Sequence, residues 1–183
     1  MLLSRRYLLI ELLLCLLPSG LLQAQGRTSA FEAGGFFSGQ GSGLTCLYRH
    51  ADGSVGELRL VADFEGVIRE HQRPGARLTY NYFLYGKDWY QSPELTIRPT
   101  FGPGLSFGYV RDKGKAPGFL AAIGADIGLE MEFRVTAVSI YAGLSADLGA
   151  HILLRGRYGS TMTLYRNGLE RIWQPEIAVR YRF

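Results

Sequence analysis

At 183 residues, with 24 glycines, 13% aromatic side chains and 20% charge, the chain has the size of one domain and is too apolar and aromatic to stay disordered. The net charge of +4 comes from arginines scattered along the sequence, so the basic stripe that tracks nucleic acid is missing and nucleic acid is set aside as a partner.

Residues 1–24 read as an export signal. Arg5 and Arg6 precede an apolar stretch from Tyr7 to Leu17, then Pro18, Ser19 and Gly20 break it and Ala24 offers a small residue for cleavage, leaving a mature domain at 25–183. A helical membrane anchor is disfavoured, because the stretch carries Glu11 and is shorter than the roughly 20 residues that cross a bilayer. Cleavage removes Cys15 and leaves Cys46 with no internal disulfide partner.

From there on the apolar period is two, as in strands, with no long helical stretch. It places eight strands, at 29–38, 43–51, 56–68, 76–86, 94–111, 118–133, 138–154 and 172–183. Turn chemistry separates them: GQGSG at 39–43, DGSVG at 52–56, RPG at 73–75, DKGKAPG at 112–118, and Asn167-Gly168 as a hairpin tip inside the last long connection. The sixth strand sets Phe119, Ala121, Ile123, Ala125, Ile127, Leu129, Met131 and Phe133 on one face, against Asp126, Glu130 and Glu132 on the other. The seventh opposes Leu144, Leu148 and Ile152 to Ser145, Asp147 and His151, and both strands contain an Ala-Asp-Ile/Leu-Gly step at Ala125–Gly128 and Ala146–Gly149.

These apolar faces are longer than a globular strand needs, whereas roughly 9 to 11 tilted residues span a membrane. In lipid only a closed barrel satisfies every backbone group of a sheet. The pattern therefore predicts an all-β fold: a closed antiparallel transmembrane β-barrel of about eight strands in meander order, apolar outside and polar inside. Aromatic residues sit where the rims should be, with Tyr181, Phe183 and Phe133 at one end and Phe107, Tyr109, Phe119 and Trp173 at the other.

The last strand, QPEIAVRYRF, sharpens this. Ile177, Val179, Tyr181 and the terminal Phe183 alternate with Glu176, Arg180 and Arg182. That ending resembles the terminal signature of bacterial outer-membrane β-barrels, which the outer-membrane assembly machinery recognises. The whole mature chain resembles the small eight-stranded barrels of the OmpX and OmpA transmembrane-domain type, and the glycine-rich stretch FGPGLSFGYV is similar to small porin-like outer-membrane proteins of Bacteroidetes. The resemblance implies a Gram-negative outer membrane, lipid and the assembly machinery as partners, no cofactor, and both ends of the domain in the periplasm. The connections near 39–42, 69–75, 112–117 and 155–171 then face outward, the last as a protruding hairpin. The segment GKDWYQSP at 86–93 departs from the family as an unusually long periplasmic turn.

Carried inward, the alternation nominates Glu32, Arg49, Arg59, Asp63, Glu65, Arg77, Arg98, Asp126, Glu130, Glu132, Asp147, His151, Glu176, Arg180 and Arg182 as lumen residues. An eight-stranded barrel is just wide enough for side chains to fill, and unpaired buried ions are costly, so these charges should pair and plug it. A turn centred on Lys115 sets Arg98 against Glu132, with Glu130 next in line. The plugged lumen leaves a structural or surface-binding role on the outer loops, toward an unidentified extracellular ligand or protein.

Three other readings compete: a narrow pore for small solutes, a lipid-modifying enzyme, and a soluble lipocalin-like barrel with the faces inverted. For an enzyme, Ser145, Asp147 and His151 share one strand face, yet residues two apart lie roughly 7 Å from each other and the His-x-Ser motif of lipid A deacylase barrels is absent. No His or Cys pair has metal-ligand spacing. Deleting Phe183, or the change Tyr181→Asp, is expected to cripple assembly into the outer membrane, measured as the yield of heat-modifiable folded barrel. Normal yield from the deletion would contradict the terminal-signature reading.

Overall fold

Strand after strand pairs with its sequence neighbour. In the computed structural model, which describes residues 30–64, 74–154 and 159–183, these are β1 (Phe31–Ser38), β2 (Gly41–Arg49), β3 (Val55–Asp63), β4 (Gly75–Tyr85), β5 (Tyr90–Gln91), β6 (Leu95–Arg111), β7 (Pro117–Phe133), β8 (Val138–Leu154), β9 (Ser160–Leu164) and β10 (Glu176–Arg182). The expected signal peptide, Glu65 and residues 155–158 lie outside the described residues. All pairings are antiparallel, and β10 closes the ring by pairing with β1 on one side and β8 on the other. The wall is thus a closed eight-stranded meander, with β5 extending β4 along β6 and β9 pairing with the end of β8 on the side that β10 occupies lower down.

The pleat sends alternate side chains to opposite sides, and the sequence uses this consistently. In β7 Phe119, Ile123 and Ile127 point outward, with Ile127 64% exposed, while Leu120, Asp126 and Glu130 are buried. Outward positions elsewhere include Phe37, Leu44, Leu60, Leu78, Phe101, Leu148 and Val179. Charge and small polar groups fill the inside, together with an apolar cluster of Phe36, Leu47, Val55, Val61, Phe83, Tyr141 and Ala178.

Short turns close the end that holds both ends of the barrel sheet. At Asp52, the Ser54 hydroxyl and amide both donate to the carboxylate (2.6 and 2.9 Å), and this holds its pKa below the ordinary value. Gly53 in this end's β2–β3 turn and Gly114 in the β6–β7 turn at the opposite end take φ of +86° and +67°, where a side chain would strain the backbone.

Four sequence expectations change. The β1–β2 hairpin turns on Gly39 and Gln40 alone, so β2 starts at Gly41 rather than 43. The β6–β7 register pairs Arg98 with Glu130, because the turn centres on Gly114 instead of Lys115. The segment at 86–93 is not a long turn: Tyr85 pairs with Thr100 and Tyr90 with Ile97, so residues 86–89 bulge opposite Arg98 and Pro99 and the strand resumes as β5. The chain then reverses over Ser92–Glu94, with Ser92 N–H donating to Leu95 O (2.8 Å).

The fourth change is the largest. Asn167-Gly168 is no hairpin tip; both residues are buried in a short helix, α1 (Arg166–Glu170), followed by a 3₁₀ turn at Arg171–Trp173, and the last strand begins at Glu176 rather than 172. Asp112 Oδ1 accepts the backbone N–H groups of Arg166 and Asn167 (2.9 and 3.0 Å), which fixes α1 across the mouth. Asn167 donates to Arg111 O (3.2 Å) and its carbonyl accepts from Gln40 (2.9 Å). A local dipeptide signal lost here to long-range capping of a buried helix end.

Candidate functional site: a charged lumen

Most of the ionisable residues of the strands converge inside the barrel, in three linked groups. Nearest the short turns, Glu32 accepts hydrogen bonds from Arg49 (2.8 Å), Arg182 (2.9 Å) and Ser139 (2.6 Å), joining β1, β2, β10 and β8. Arg49 also reaches Glu130 (2.8 Å) and Tyr85 (3.0 Å), and Tyr85 donates to the other oxygen of Glu130 (2.9 Å). Glu132 is shared by Arg182 (2.6 Å) and Arg98. Arg98 therefore has Glu130 as its backbone partner but contacts Glu132, one pleat repeat along the same face, and its guanidinium stacks 4.3 Å from the Tyr85 ring centre.

Deeper in the barrel, Arg59 holds the centre. Only 1% exposed, it donates to Glu57 (2.7 Å), Asp126 (3.1 Å) and Glu176 (2.8 Å), so one guanidinium ties β3 to β7 and β10 across the lumen. Phe36 and Tyr141 lie 4.6 and 5.4 Å from it, giving the planar cation ring faces where carboxylates do not reach. Glu57 also accepts from Thr45 (2.6 Å) and Arg180 (2.5 Å), and Glu176 accepts from Ser145 (2.5 Å).

Toward the mouth, Arg171 descends from the 3₁₀ turn and pairs with both Asp147 and Glu176. Arg77 approaches Asp147 at 3.8 Å, and Ser106 donates to it at 3.4 Å. Above them the filling turns apolar, with Val110, Leu120, Ala122 and Tyr165 buried together.

The structure thus brings together Glu32, Arg49, Arg59, Arg77, Arg98, Asp126, Glu130, Glu132, Asp147, Glu176, Arg180 and Arg182. Asp63 is buried on the inner face near the mouth. His151 stands apart from the charge groups: its Nε2 lies 3.0 Å from Val110 O. Ser145, Asp147 and His151 are accordingly each engaged elsewhere and form no nucleophile–base relay. Ile177, Val179 and Tyr181 stand on the outward side of β10.

Two charged members of these groups escaped the sequence reading. Glu57 has the parity of Arg59 and Asp63, so alternation alone could have found it. Arg171 could not be found that way, since it enters from a non-strand segment.

No protein-family model and no curated protein matches the sequence. Among solved structures, the N-terminal β-barrel domain of Pseudomonas aeruginosa OprF is similar, at 17% identity and a TM-score of 0.49, over 87% of this chain and 100% of that one.

The geometry ranks the charges. Arg59→Met leaves buried carboxylates facing one another and is expected to cost about 3–5 kcal/mol, whereas removing Arg59 together with Glu57 costs less than the two single changes combined. Arg98→Met, in the wetter group where Arg98 is 18% exposed, is expected to cost less than Arg59→Met. Denaturant unfolding of the refolded barrels gives these differences, and a harmless Arg59→Met would contradict the strut role.

Proposed function

We propose that the chain is an outer-membrane β-barrel of a Gram-negative bacterium, exported with a cleaved signal peptide, whose lumen is closed by its own side chains. Its work is structural or surface-binding, done by the segments at the mouth. The observation that carries this reading is the inversion of the wall: large aliphatic and aromatic residues outside on every strand, and ion pairs inside. A soluble binding barrel needs the opposite arrangement, since water would face Ile123, Ile127 and Leu60 while ion pairs and the chain's own side chains fill the lumen that a ligand would need.

The end with the short turns is the periplasmic one. Its rim carries Phe31, Tyr48, Trp89 and Tyr90, and the other rim carries Tyr109, Phe119 and Trp173, as the two interfaces of a bilayer favour. Arg59 and Arg180, each fully surrounded and joined to opposite walls, occupy the width through which a solute would pass. With a fixed scaffold beneath, recognition of a partner falls to the outward segments, α1 among them.

Ile127→Arg, in mid-wall, is expected to cost roughly 2–4 kcal/mol on folding into lipid vesicles, while the same change at Val135, in the β7–β8 turn, costs about 0–1 kcal/mol. Equal costs would overturn the membrane placement. In planar bilayers the unmodified protein is expected to conduct far less than a wide porin; porin-like conductance would overturn the closed lumen.

A further inference from the structure

We propose that the outer wall carries a binding groove for one acyl chain of an anionic, phosphate-bearing membrane lipid, at the seam where α1 stands in for a strand. The inference rests on the membrane reading above.

The seam follows from the register. β8 pairs with β10 only as far as Gly143, and with β9 only from Ala150 onward. From Leu144 to Gly149 its sole strand partner is therefore β7. On the open side lie α1 and the 3₁₀ turn, and a backbone hydrogen bond from the residue just before α1 reaches this stretch, Tyr165 N–H to Gly149 O (2.9 Å). Gly168 allows the close approach, since a Cβ there would collide with the Asp147 carbonyl. Here a helix, not a strand, covers the wall, in a medium where bare backbone groups are costly.

The covering segment has a wall's polarity. Asn167 and Arg171 are buried toward the lumen, whereas Leu169, Ile172 and Trp173 are exposed. Between Leu169 and the strands runs a groove of about 240 Å³ lined by Ile123, Gly124, Ala125, Ala146, Asp147 and Leu148. Its small-residue floor is sunk between the exposed side chains of Ile123 (63%) and Leu148 (52%), members of the apolar belt. The groove is thus continuous with the lipid-facing surface, and hydrocarbon is the occupant that surface meets. Arg166, exposed one helical turn before Leu169, supplies a cation for the phosphate.

Single-tryptophan proteins test this, in a Trp89→Phe, Trp173→Phe background. Leu169→Trp reports on the groove and Leu60→Trp on the opposite wall. Each is reconstituted in phosphatidylcholine vesicles containing rising shares of brominated phosphatidylglycerol or brominated phosphatidylcholine. The two quenchers are expected to act equally at the Leu60 probe. At the Leu169 probe the anionic lipid should be preferred about fivefold, the effect of one added cation near a phosphate that no headgroup ammonium neutralises. Ala146→Phe, which fills the groove, and the exposed change Arg166→Gln should each bring that preference to about one. No preference at the Leu169 probe, or one that survives both substitutions, overturns the groove; absence of quenching at both probes overturns the membrane reading itself.

Discussion

A guanidinium shut inside a barrel eight strands wide must find its carboxylates across the lumen, and the form of this protein follows from that constraint. Arg59 reaches Glu57 on its own strand, Asp126 on β7 and Glu176 on β10. Two of these partners are held again by a second donor or cation, Glu57 by Arg180 and Thr45 and Glu176 by Arg171 and Ser145. Burying ions this way is costly unless every one is matched, so the network sets the rotation of each strand about the axis. A slip of one residue in β3 would turn Arg59 toward the outside and bring Leu60 in. The wall hydrogen bonds could form in many registers; the charges accept few.

The same requirement explains the mouth. Asp147 and Glu176 each face one strand cation, Arg77 and Arg59, and Arg171 arrives from the last connection to pair with both carboxylates at once. Drawing that segment inward costs the barrel its strand pairing along Leu144–Gly149, and α1 covers the break while Asp112 and Gln40 hold it in place. Plug, cap and seam are thus one construction, in which the filling of the interior decides where the wall is weakest. A lipid chain in the adjoining groove would cover that place from outside.

Much of this was legible in the sequence because a half-buried strand writes its environment at period two. The closed eight-stranded meander, the inner and outer faces of β7 and β8, and strand bounds such as 138–154 follow from alternation and glycine-rich turns alone. What alternation does not encode is anything set by contacts far apart in the chain. The Arg98 register moved by two because turn residues define a loop, not its centre, and the bulge at 86–89 reads in sequence like an ordinary loop. Asn167-Gly168 carries a strong local turn signal, yet Asp112, 55 residues away, captures the adjacent amides and makes a helix of it. Arg171 stayed hidden for the same reason.

The central claim is that the two faces of each strand see different media, hydrocarbon outside and a filled polar lumen inside. Spin labels placed one at a time from Phe119 to Gly128 on β7, in lipid vesicles, measure this directly through collisions with oxygen, which concentrates in hydrocarbon, and with a water-soluble nickel complex. The account predicts oxygen accessibility that alternates at period two, high at Phe119, Ala121, Ile123, Ala125 and Ile127, with both reagents excluded at Leu120, Ala122, Asp126 and Gly128. Alternation of the opposite phase, or high nickel accessibility at the inward positions, would contradict it.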